Sequence, residues 1–175
     1  MYKKFLKRLF DILISILFLI PLSIIFIIVS VAIFIEDRGP IIYSGERLGK
    51  NGKVFKMYKF RSMHVNSEDI RNADGSTYNS KNDPRVTKVG HFIRETSIDE
   101  LPQLINIFKG EMSIIGPRPT LTYHPWKLGE YTDFQKRRFK VRPGVTGLAQ
   151  VNGRKDIPWD KRIEYDVEYV NNMSF

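Results

Sequence analysis

The stretch Ile12–Ile35 reads ILISILFLIPLSIIFIIVSVAIFI and contains 24 residues without a charge. As a helix rising about 1.5 Å per residue, it would be long enough to cross a bilayer. The remaining part of the chain, about 150 residues, is the size of one ordinary domain and can bury a core. No second apolar run of comparable length is present, which excludes a multi-pass transporter. The sequence therefore predicts a membrane segment at residues 1–37 and one folded domain at residues 38–175.

The way this segment meets the membrane is left open by the residues themselves. Pro21 divides the run into two pieces that are each short for a crossing. Four basic residues precede the run and four follow within about 20 residues, so both flanks favour the cytoplasmic side. These residues are Lys3, Lys4, Lys7 and Arg8 before it, and Arg38, Arg47, Lys50 and Lys53 after it. A re-entrant hairpin satisfies both flanks, whereas a Pro-kinked single span is also tolerated in membranes. A cleaved signal peptide is disfavoured because the run is too long for its apolar region.

The composition restricts the chemistry. There is no Cys, which excludes disulfides, thiolate metal sites and a Cys nucleophile. The formal net charge is +9, and five of the seven residues in Lys136–Arg142 are basic. Such a cluster is typical of a solvated helix face, a nucleic-acid patch or a surface on anionic lipid. The membrane segment in the same chain favours lipid, and we expect no nucleic acid partner.

The soluble part begins with a predicted β-hairpin. Ile41–Tyr43 and Val54–Phe60 have strand composition and flank a long loop that contains Asn51-Gly52. Residues 64–85 are polar and predict a mobile surface loop rather than a domain linker.

A helix is predicted to begin at Ser97. Ser97 followed by Glu100 is the pattern of a capping box, and Lys109-Gly110 supplies a stop. One apolar face is expected on this helix, made of Ile98, Leu101, Leu104, Ile105 and Phe108.

Asp99 and Glu100 stand at this predicted helix start, where partial positive charge keeps carboxylates ionised. An ionised Asp can attack phosphorus, and its neighbour can hold a hard divalent cation. The cap alone also explains Glu100. Arg118 lies between Pro117 and Pro119, which suits either a rigid phosphate contact or a solvated loop. The three histidines lack metal-ligand spacing.

Four motifs in the same order carry a resemblance to a known family. They are Tyr58–Met63 (YKFRSM), Ser97–Gln103 (SIDELPQ), Met112–Pro119 (MSIIGPRP) and Arg142–Arg154 (RPGVTGLAQVNGR). In this order they resemble the bacterial sugar transferases, the monotopic phosphoglycosyl transferases of glycoconjugate assembly. The similarity covers nearly the whole chain.

The resemblance implies an α+β fold that is mostly helical. It implies a re-entrant membrane hairpin at 1–37 and a cytoplasmic catalytic domain at 38–175, with interfacial amphipathic helices and a small β-hairpin. The implied location is the bacterial inner membrane, with the catalytic domain facing the cytoplasm. The family's hairpin bends at a Ser-Pro pair, whereas this chain has Ile20-Pro21 and its serine, Ser23, follows the proline.

The implied reaction has two steps and three partners, a UDP-sugar donor, an undecaprenyl phosphate acceptor and membrane lipid. A nucleophilic Asp attacks the β-phosphate of the donor and releases UMP. Undecaprenyl phosphate then attacks the resulting phosphosugar ester, giving undecaprenyl diphosphate-sugar. Asp99 matches the nucleophile, and Glu100 matches its dyad partner, which with Asp99 holds Mg²⁺. The positions that match substrate-binding residues are Lys59, Arg94, Arg118, Gln103 and Arg154.

Two alternatives to this function stay open at the level of sequence. One is a membrane-bound glycosyltransferase that releases UDP, and the other is a membrane-tethered basic binding module without chemistry. Many family members continue beyond the position of Phe175 with another membrane-associated helix, so the chain is expected to be either naturally short or truncated. The sugar, the glycan pathway and the oligomeric state are not indicated by any residue.

Overall fold

The structure is a computed structural model that describes residues 5–73, 75–78, 80, 82–153 and 156–173. It is an α+β fold of short helices, 3-10 turns and two separate two-stranded sheets, dominated at its N-terminus by one long helix. The helices are α1 (Lys7–Glu36), α2 (Lys88–Glu95), α3 (Gln103–Lys109), α4 (Asp133–Lys136), α5 (Leu148–Val151) and α6 (Trp159–Asn172). The strands are β1 (Ile42–Leu48), β2 (Val54–Phe60), β3 (Ser113–Ile115) and β4 (Gly144–Thr146). The predicted α+β class is confirmed, although about half of the chain is helical instead of most of it.

Helix α1 is bent near its middle. Its halves, Lys7–Phe18 and Pro21–Glu36, meet at an angle of 63°. Pro21 accounts for the bend, because its ring removes a backbone hydrogen bond and clashes with the preceding turn. Among the described residues neither half alone is long and apolar enough to cross a membrane, but the bent pair together meets both requirements.

The N-terminal half of α1 is tied to the soluble domain by polar side chains. Asp11 is 5% exposed, and its carboxylate accepts hydrogen bonds from the Ser113 hydroxyl and the Ile114 N–H, both at 3.1 Å. Arg8 donates to the backbone carbonyl of Phe108 at 3.0 Å. This half of α1 therefore lies against β3 and the end of α3.

The C-terminal half of α1 is held by an apolar cluster and by a helix N-terminus. Val29 and Ile33 pack with Phe60 of β2 and Ile93 of α2. The Glu36 carboxylate accepts hydrogen bonds from the first two N–H groups of α2, at 2.6 and 2.9 Å. These N–H groups have no partner within their own helix, and a carboxylate there also meets the positive end of the helix dipole.

The predicted β-hairpin is confirmed, but its first strand continues to Leu48 instead of ending at Tyr43, so the predicted long loop is a short connection. β1 and β2 pair antiparallel in a register that places Tyr43 opposite Lys59 and Leu48 opposite Val54. The connection contains the 3-10 turn Lys50–Gly52, where Asn51 and Gly52 both have positive φ. Asn and Gly tolerate this conformation best, which is why the Asn-Gly pair marks the turn in the sequence.

The predicted capping box is wrong. Ser97 lies in the left-handed region at φ 59°, and its side chain makes no capping hydrogen bond. It precedes a 3-10 turn, Ile98–Glu100, and α3 begins only at Gln103. The Glu100 side chain therefore does not cap a helix, and it forms ion pairs with Lys59 and Arg118 instead.

The predicted apolar face of this helix needs a related correction. Ile105 and Phe108 are exposed, while Ile107 is fully buried against Phe55 and Met57 of β2. A 3-10 turn advances three residues per turn and an α-helix 3.6, so one helical period does not run through both segments. The predicted stop at Lys109-Gly110 is confirmed, with Gly110 as the left-handed residue after α3.

The segment 64–85 has no helix or longer strand in its described part, but its end is not on the surface. Asp83 is 1% exposed, and its carboxylate forms an ion pair with Arg85 at 2.7 Å. This buried pair anchors the end of the loop immediately before α2.

The C-terminal half completes the domain. β3 and β4 pair parallel, and α6 contributes Ile163 and Val167 to a core with Tyr131 and Phe139. Leu48 joins the same core from the end of β1, so the hairpin and α6 are held together.

Candidate active site

The two predicted catalytic carboxylates lie on the 3-10 turn between α2 and α3. Asp99 is only 7% exposed, and Lys59 of β2 contacts it. The Lys59 ammonium lies 3.0 Å from Asp99 Oδ2 and 2.8 Å from Glu100 Oε1. One lysine therefore bridges both carboxylates, from which it is 40 and 41 residues away in the sequence.

Arg118 completes this cluster through Glu100. Its Nη2 lies 2.7 Å from the same Glu100 oxygen, and its side chain is about half exposed. The loop that carries it is fixed from within, because Arg138 donates a 2.8 Å hydrogen bond to the Arg118 backbone carbonyl. Arg138 is itself held by a buried ion pair with Asp166 of α6 at 2.6 Å.

The electrostatics of the cluster keep Glu100 ionised. Burial alone would favour its protonated form, but the positive charges of Arg118 and Lys59 outweigh burial and lower the pKa of Glu100 to about 2. Burial likewise disfavours the charged form of Arg118, and Glu100 more than offsets this, so that the pKa of Arg118 is raised.

Arg94 of α2 lies at the same site without forming an ion pair there. Its Nε donates to the Ser62 hydroxyl at 2.8 Å. Burial lowers the pKa of Arg94, and the nearby charge of Asp99 partly opposes that effect. In the described part of the chain no carboxylate lies within ion-pair distance of Arg94, so its charge is available to a phosphate.

Of the two other predicted substrate-binding residues, Gln103 makes no hydrogen bond or ion pair with the cluster among the described residues. Gln103 begins α3 and is 1% exposed, and its amide nitrogen has no hydrogen-bond partner among the described residues. Arg154 lies outside the described residues.

The predicted basic surface at Lys136–Arg142 is wrong for one of its members. Lys136, Arg137 and Lys140 are exposed, but Arg138 is 3% exposed and makes the ion pair that supports Arg118. Arg142 is partly buried and donates to the Gly110 carbonyl at 2.7 Å. The cluster combines a solvated face with a structural arginine.

The comparisons with known proteins now identify the family. The family model described as bacterial sugar transferase matches residues 2–175. This chain belongs to the bacterial sugar transferases. The resemblance carried by the four sequence motifs is therefore confirmed.

Three relatives show how this bacterial sugar transferase compares in length. It is 44% identical over 182 residues to the undecaprenyl-phosphate galactose phosphotransferase of Salmonella typhimurium, covering 98% of this chain and 37% of that protein. It is 41% identical over 176 residues to the UDP-glucose:undecaprenyl-phosphate glucose-1-phosphate transferase of Escherichia coli, again covering 98% and 37%. It is 41% identical over 179 residues to the exopolysaccharide production protein ExoY of Sinorhizobium fredii, covering 96% of this chain and 78% of that protein. The chain spans little more than a third of the first two relatives.

Sequence reasoning missed two contributors to the site of this bacterial sugar transferase. Ser62, which orients Arg94, stands in the YKFRSM motif, so its position in that motif was an available signal. Asp166, which holds Arg138, lies on an amphipathic helix with no local feature that sets it apart. The pairing of Arg138 with Asp166 depends on tertiary packing and has no signal in the sequence.

Proposed function

We propose that this chain transfers a sugar-1-phosphate from a UDP-sugar to undecaprenyl phosphate, giving undecaprenyl diphosphate-sugar and UMP. The observation that carries the proposal is the Lys59 ammonium held between Asp99 and Glu100, with Arg118 on the same carboxylate. Phosphoryl transfer needs a nucleophile and cations for the phosphate oxygens, and this cluster supplies both. The relatives named for undecaprenyl phosphate and for galactose or glucose-1-phosphate agree with this reaction class.

In the first step a carboxylate oxygen of Asp99 forms a bond to the β-phosphorus of the donor. The bond from this phosphorus to the oxygen that bridges the two phosphates breaks, and UMP leaves with the bonding electrons. In the second step a phosphate oxygen of undecaprenyl phosphate attacks the same phosphorus, and the Asp99 carboxylate leaves. Covalent catalysis separates a water-soluble donor from a lipid acceptor, so the two need not be bound at once.

The cations of the cluster have defined roles in this scheme. Lys59 holds the Asp99 carboxylate in place at 3.0 Å. It also lies close enough to Asp99 to offset the negative charge of the phosphoryl group that is transferred to this residue. Arg118 is half exposed and can exchange its contact with Glu100 for a bidentate contact with a phosphate. Arg94 adds a third positive charge that no carboxylate neutralises among the described residues.

The residues present fit Mg²⁺ as a cation shared with the substrate. Mg²⁺ is commonly bound by one or two carboxylates together with substrate phosphates and water. Asp99 and Glu100 supply two adjacent carboxylates, and the pKa of Glu100 near 2 keeps it ionised at neutral pH. The described residues contain no group of three or more metal-binding side chains, so the diphosphate would complete the site. When bound, Mg²⁺ supplies charge neutralisation of the diphosphate.

We also propose that α1 enters and leaves the membrane on the same side, at the cytoplasmic face of the bacterial inner membrane. Both halves of α1 are tied to the same soluble domain, through Asp11 at one end and Glu36 at the other. A straight spanning helix would carry its two ends to opposite faces of the bilayer. The described side chains of α1 that do not face the domain are mostly exposed Leu, Ile and Phe, as a lipid environment requires.

The test is nucleotide release from a panel of UDP-sugars with Mg²⁺, with and without undecaprenyl phosphate, combined with the intact mass of the protein. We expect a phosphosugar adduct without acceptor and UMP turnover with it. Asp99→Asn should abolish both, while Asp160→Asn, an exposed aspartate in the first turn of α6, should change neither. Appreciable turnover by the folded Asp99→Asn variant would refute the nucleophile, and release of UDP would indicate an ordinary glycosyltransferase.

A further inference from the structure

A notch lies on the face of the hairpin that also carries Lys59. Tyr43, Gly45 and Arg47 alternate along β1, so their side chains share one face, and Tyr43 is the residue paired with Lys59. A Cβ atom at Gly45 would lie 3.1 Å from both the Tyr43 hydroxyl and Arg47 Nη1. The absence of a side chain at Gly45 therefore lets a hydroxyl and a guanidinium converge above the strand.

This notch adjoins the loop that carries Arg118. The Leu48 N–H donates to the Thr120 carbonyl at 2.9 Å, which joins the end of β1 to the segment after Arg118. Tyr123 follows three residues later, and the Arg71 guanidinium lies 5.4 Å from the centre of its ring. Tyr43 and Tyr123 are both about half exposed, at 54% and 45%.

The charges around the notch are not balanced. Arg118 is paired with Glu100, and Arg71 with Asp69 at 2.6 Å. Arg47 is partly buried, and within the described ranges no carboxylate lies at ion-pair distance from it. Its guanidinium donates a hydrogen bond to the neighbouring backbone carbonyl of Glu46. Burial lowers the pKa of Arg47, and the positive charges of Arg118 and Arg71 add to this effect, while Tyr43 and Tyr123 oppose it. A partly buried cation without a counterion is costly, so the notch favours an anion.

We propose that this notch binds the nucleoside monophosphate half of the donor, with Arg47 on its phosphate and Tyr43 and Tyr123 beside its base. The inference rests on the proposed function, which places the β-phosphate of the donor at Asp99. The order of groups along the surface then follows the order of groups in the donor. Asp99 and Arg118 meet the reacting phosphate, Arg47 meets the next phosphate, and the tyrosines meet the nucleoside.

The chemistry of these side chains suits a nucleotide better than a lipid phosphate. Arginine binds phosphate through two parallel hydrogen bonds, and aromatic rings stack on any nucleobase. An isoprenoid phosphate carries no base, and it would leave both half-exposed tyrosines without a role. In this proposal Tyr43, Arg47 and Tyr123 bind the departing nucleotide directly.

The test is the affinity of the full chain in detergent for UMP and for ribose 5-phosphate, measured by calorimetry. Arg47→Gln should weaken both ligands about 10- to 100-fold, as expected for lost hydrogen bonds to a charged group. Tyr43→Leu and Tyr123→Leu should weaken UMP about tenfold and leave ribose 5-phosphate unchanged, because only UMP carries a base. Arg137→Gln, an exposed arginine beside Phe134, is the control and should change neither affinity.

Kinetics with the same variants separate the possible outcomes. Arg47→Lys keeps the charge and the apolar stem of the side chain, so a folding defect is not expected in this variant. It should raise the KM for the donor and leave the KM for undecaprenyl phosphate unchanged. Unchanged UMP affinity in folded Arg47→Gln, or a raised KM for the acceptor alone, would overturn the inference. If the wild-type chain binds UMP through Arg47 but turns over no donor, the proposed function fails and the nucleotide site stands. If it turns over donor and Arg47→Gln behaves as wild type, only the nucleotide site fails.

Discussion

Lys59 is the side chain whose removal should disturb the candidate site most selectively. Lys59→Met keeps the length and apolar character of the side chain but removes the ammonium that contacts Asp99 at 3.0 Å and Glu100 at 2.8 Å. The carboxylates would then remain side by side with Arg118 as the nearest partner of Glu100. We expect the pKa of Glu100 to rise.

The magnitude follows from the pKa of Glu100, which lies at about 2 instead of its ordinary 4.5. That difference corresponds to about 3 kcal/mol in favour of the ionised form in the folded protein. Lys59 and Arg118 share this effect against the opposing effect of burial, so losing Lys59 should raise the pKa by about 1 to 2 units. Because the folded-state pKa is depressed, the corresponding stability is present above about pH 4.5 and is lost as the pH falls towards 2. Lys59→Met should therefore cost about 1 to 3 kcal/mol at pH 7, and the cost should shrink below pH 4.5.

The assay is the carboxyl ¹³C shift of glutamate-labelled protein in detergent, with Glu100→Gln used to assign the resonance. The wild-type midpoint should lie near 2, and that of Lys59→Met between about 3 and 4. Lys56→Met is the matched control, since Lys56 lies on the same strand but is exposed and makes no ion pair within the described part of the chain. An unchanged midpoint in Lys59→Met, or an equal shift in Lys56→Met, would refute the assignment of Lys59 as the bridge.

Three further predictions test other parts of the structure. Arg138→Met breaks a buried ion pair and should lower the free energy of unfolding by about 3 to 5 kcal/mol, and a loss below 1 kcal/mol in denaturant titration would contradict the pairing. Gly90→Ala should destabilise the fold by at least about 1 to 3 kcal/mol, because the added Cβ would overlap the backbone carbonyl of Ser62. Gly129→Ala is the control, since a Cβ there meets open space and should leave the free energy of unfolding unchanged in the same titration. Single cysteines at Phe5 and Arg38, in a chain with no other Cys, should both escape an impermeant maleimide in intact cells and both react after lysis. Labelling of only one of them in intact cells would instead establish a spanning helix.

Local patterns predicted the elements that depend on local interactions. The hairpin follows from alternating strand residues and an Asn-Gly turn, and the end of α3 follows from Lys109-Gly110. The start of α3 was mispredicted because Ser97 takes a left-handed backbone conformation instead of accepting a capping hydrogen bond. The capping pattern assigns Glu100 to its own backbone, but two cations from distant segments offer it stronger partners.

The site itself could be predicted only as a set of residues and not as an arrangement. Lys59 and Asp99 are 40 residues apart, and nothing local indicates that they meet at 3.0 Å. The buried pair of Arg138 and Asp166 has the same property, because a basic cluster of five gives no sign of which member is inside. Residue chemistry is visible in the sequence, whereas burial and pairing over such separations are set by tertiary packing.

The apolar cluster beside the candidate site shows how α1 can position that site. Val29 and Ile33 of α1 pack against Phe60 and Ile93, which directly follow Lys59 and precede Arg94 in the sequence. The same cluster receives Ile98 and Leu101, which flank the two carboxylates. Side chains adjacent to Lys59, Arg94 and the two carboxylates thus rest on one half of α1, whereas those adjacent to Arg118 do not belong to this cluster. A close-packed cluster transmits displacement rather than absorbing it. In the proposed re-entrant arrangement, the depth of α1 in the bilayer therefore sets the height of Asp99 above it, where the phosphate of a polyprenyl acceptor must arrive.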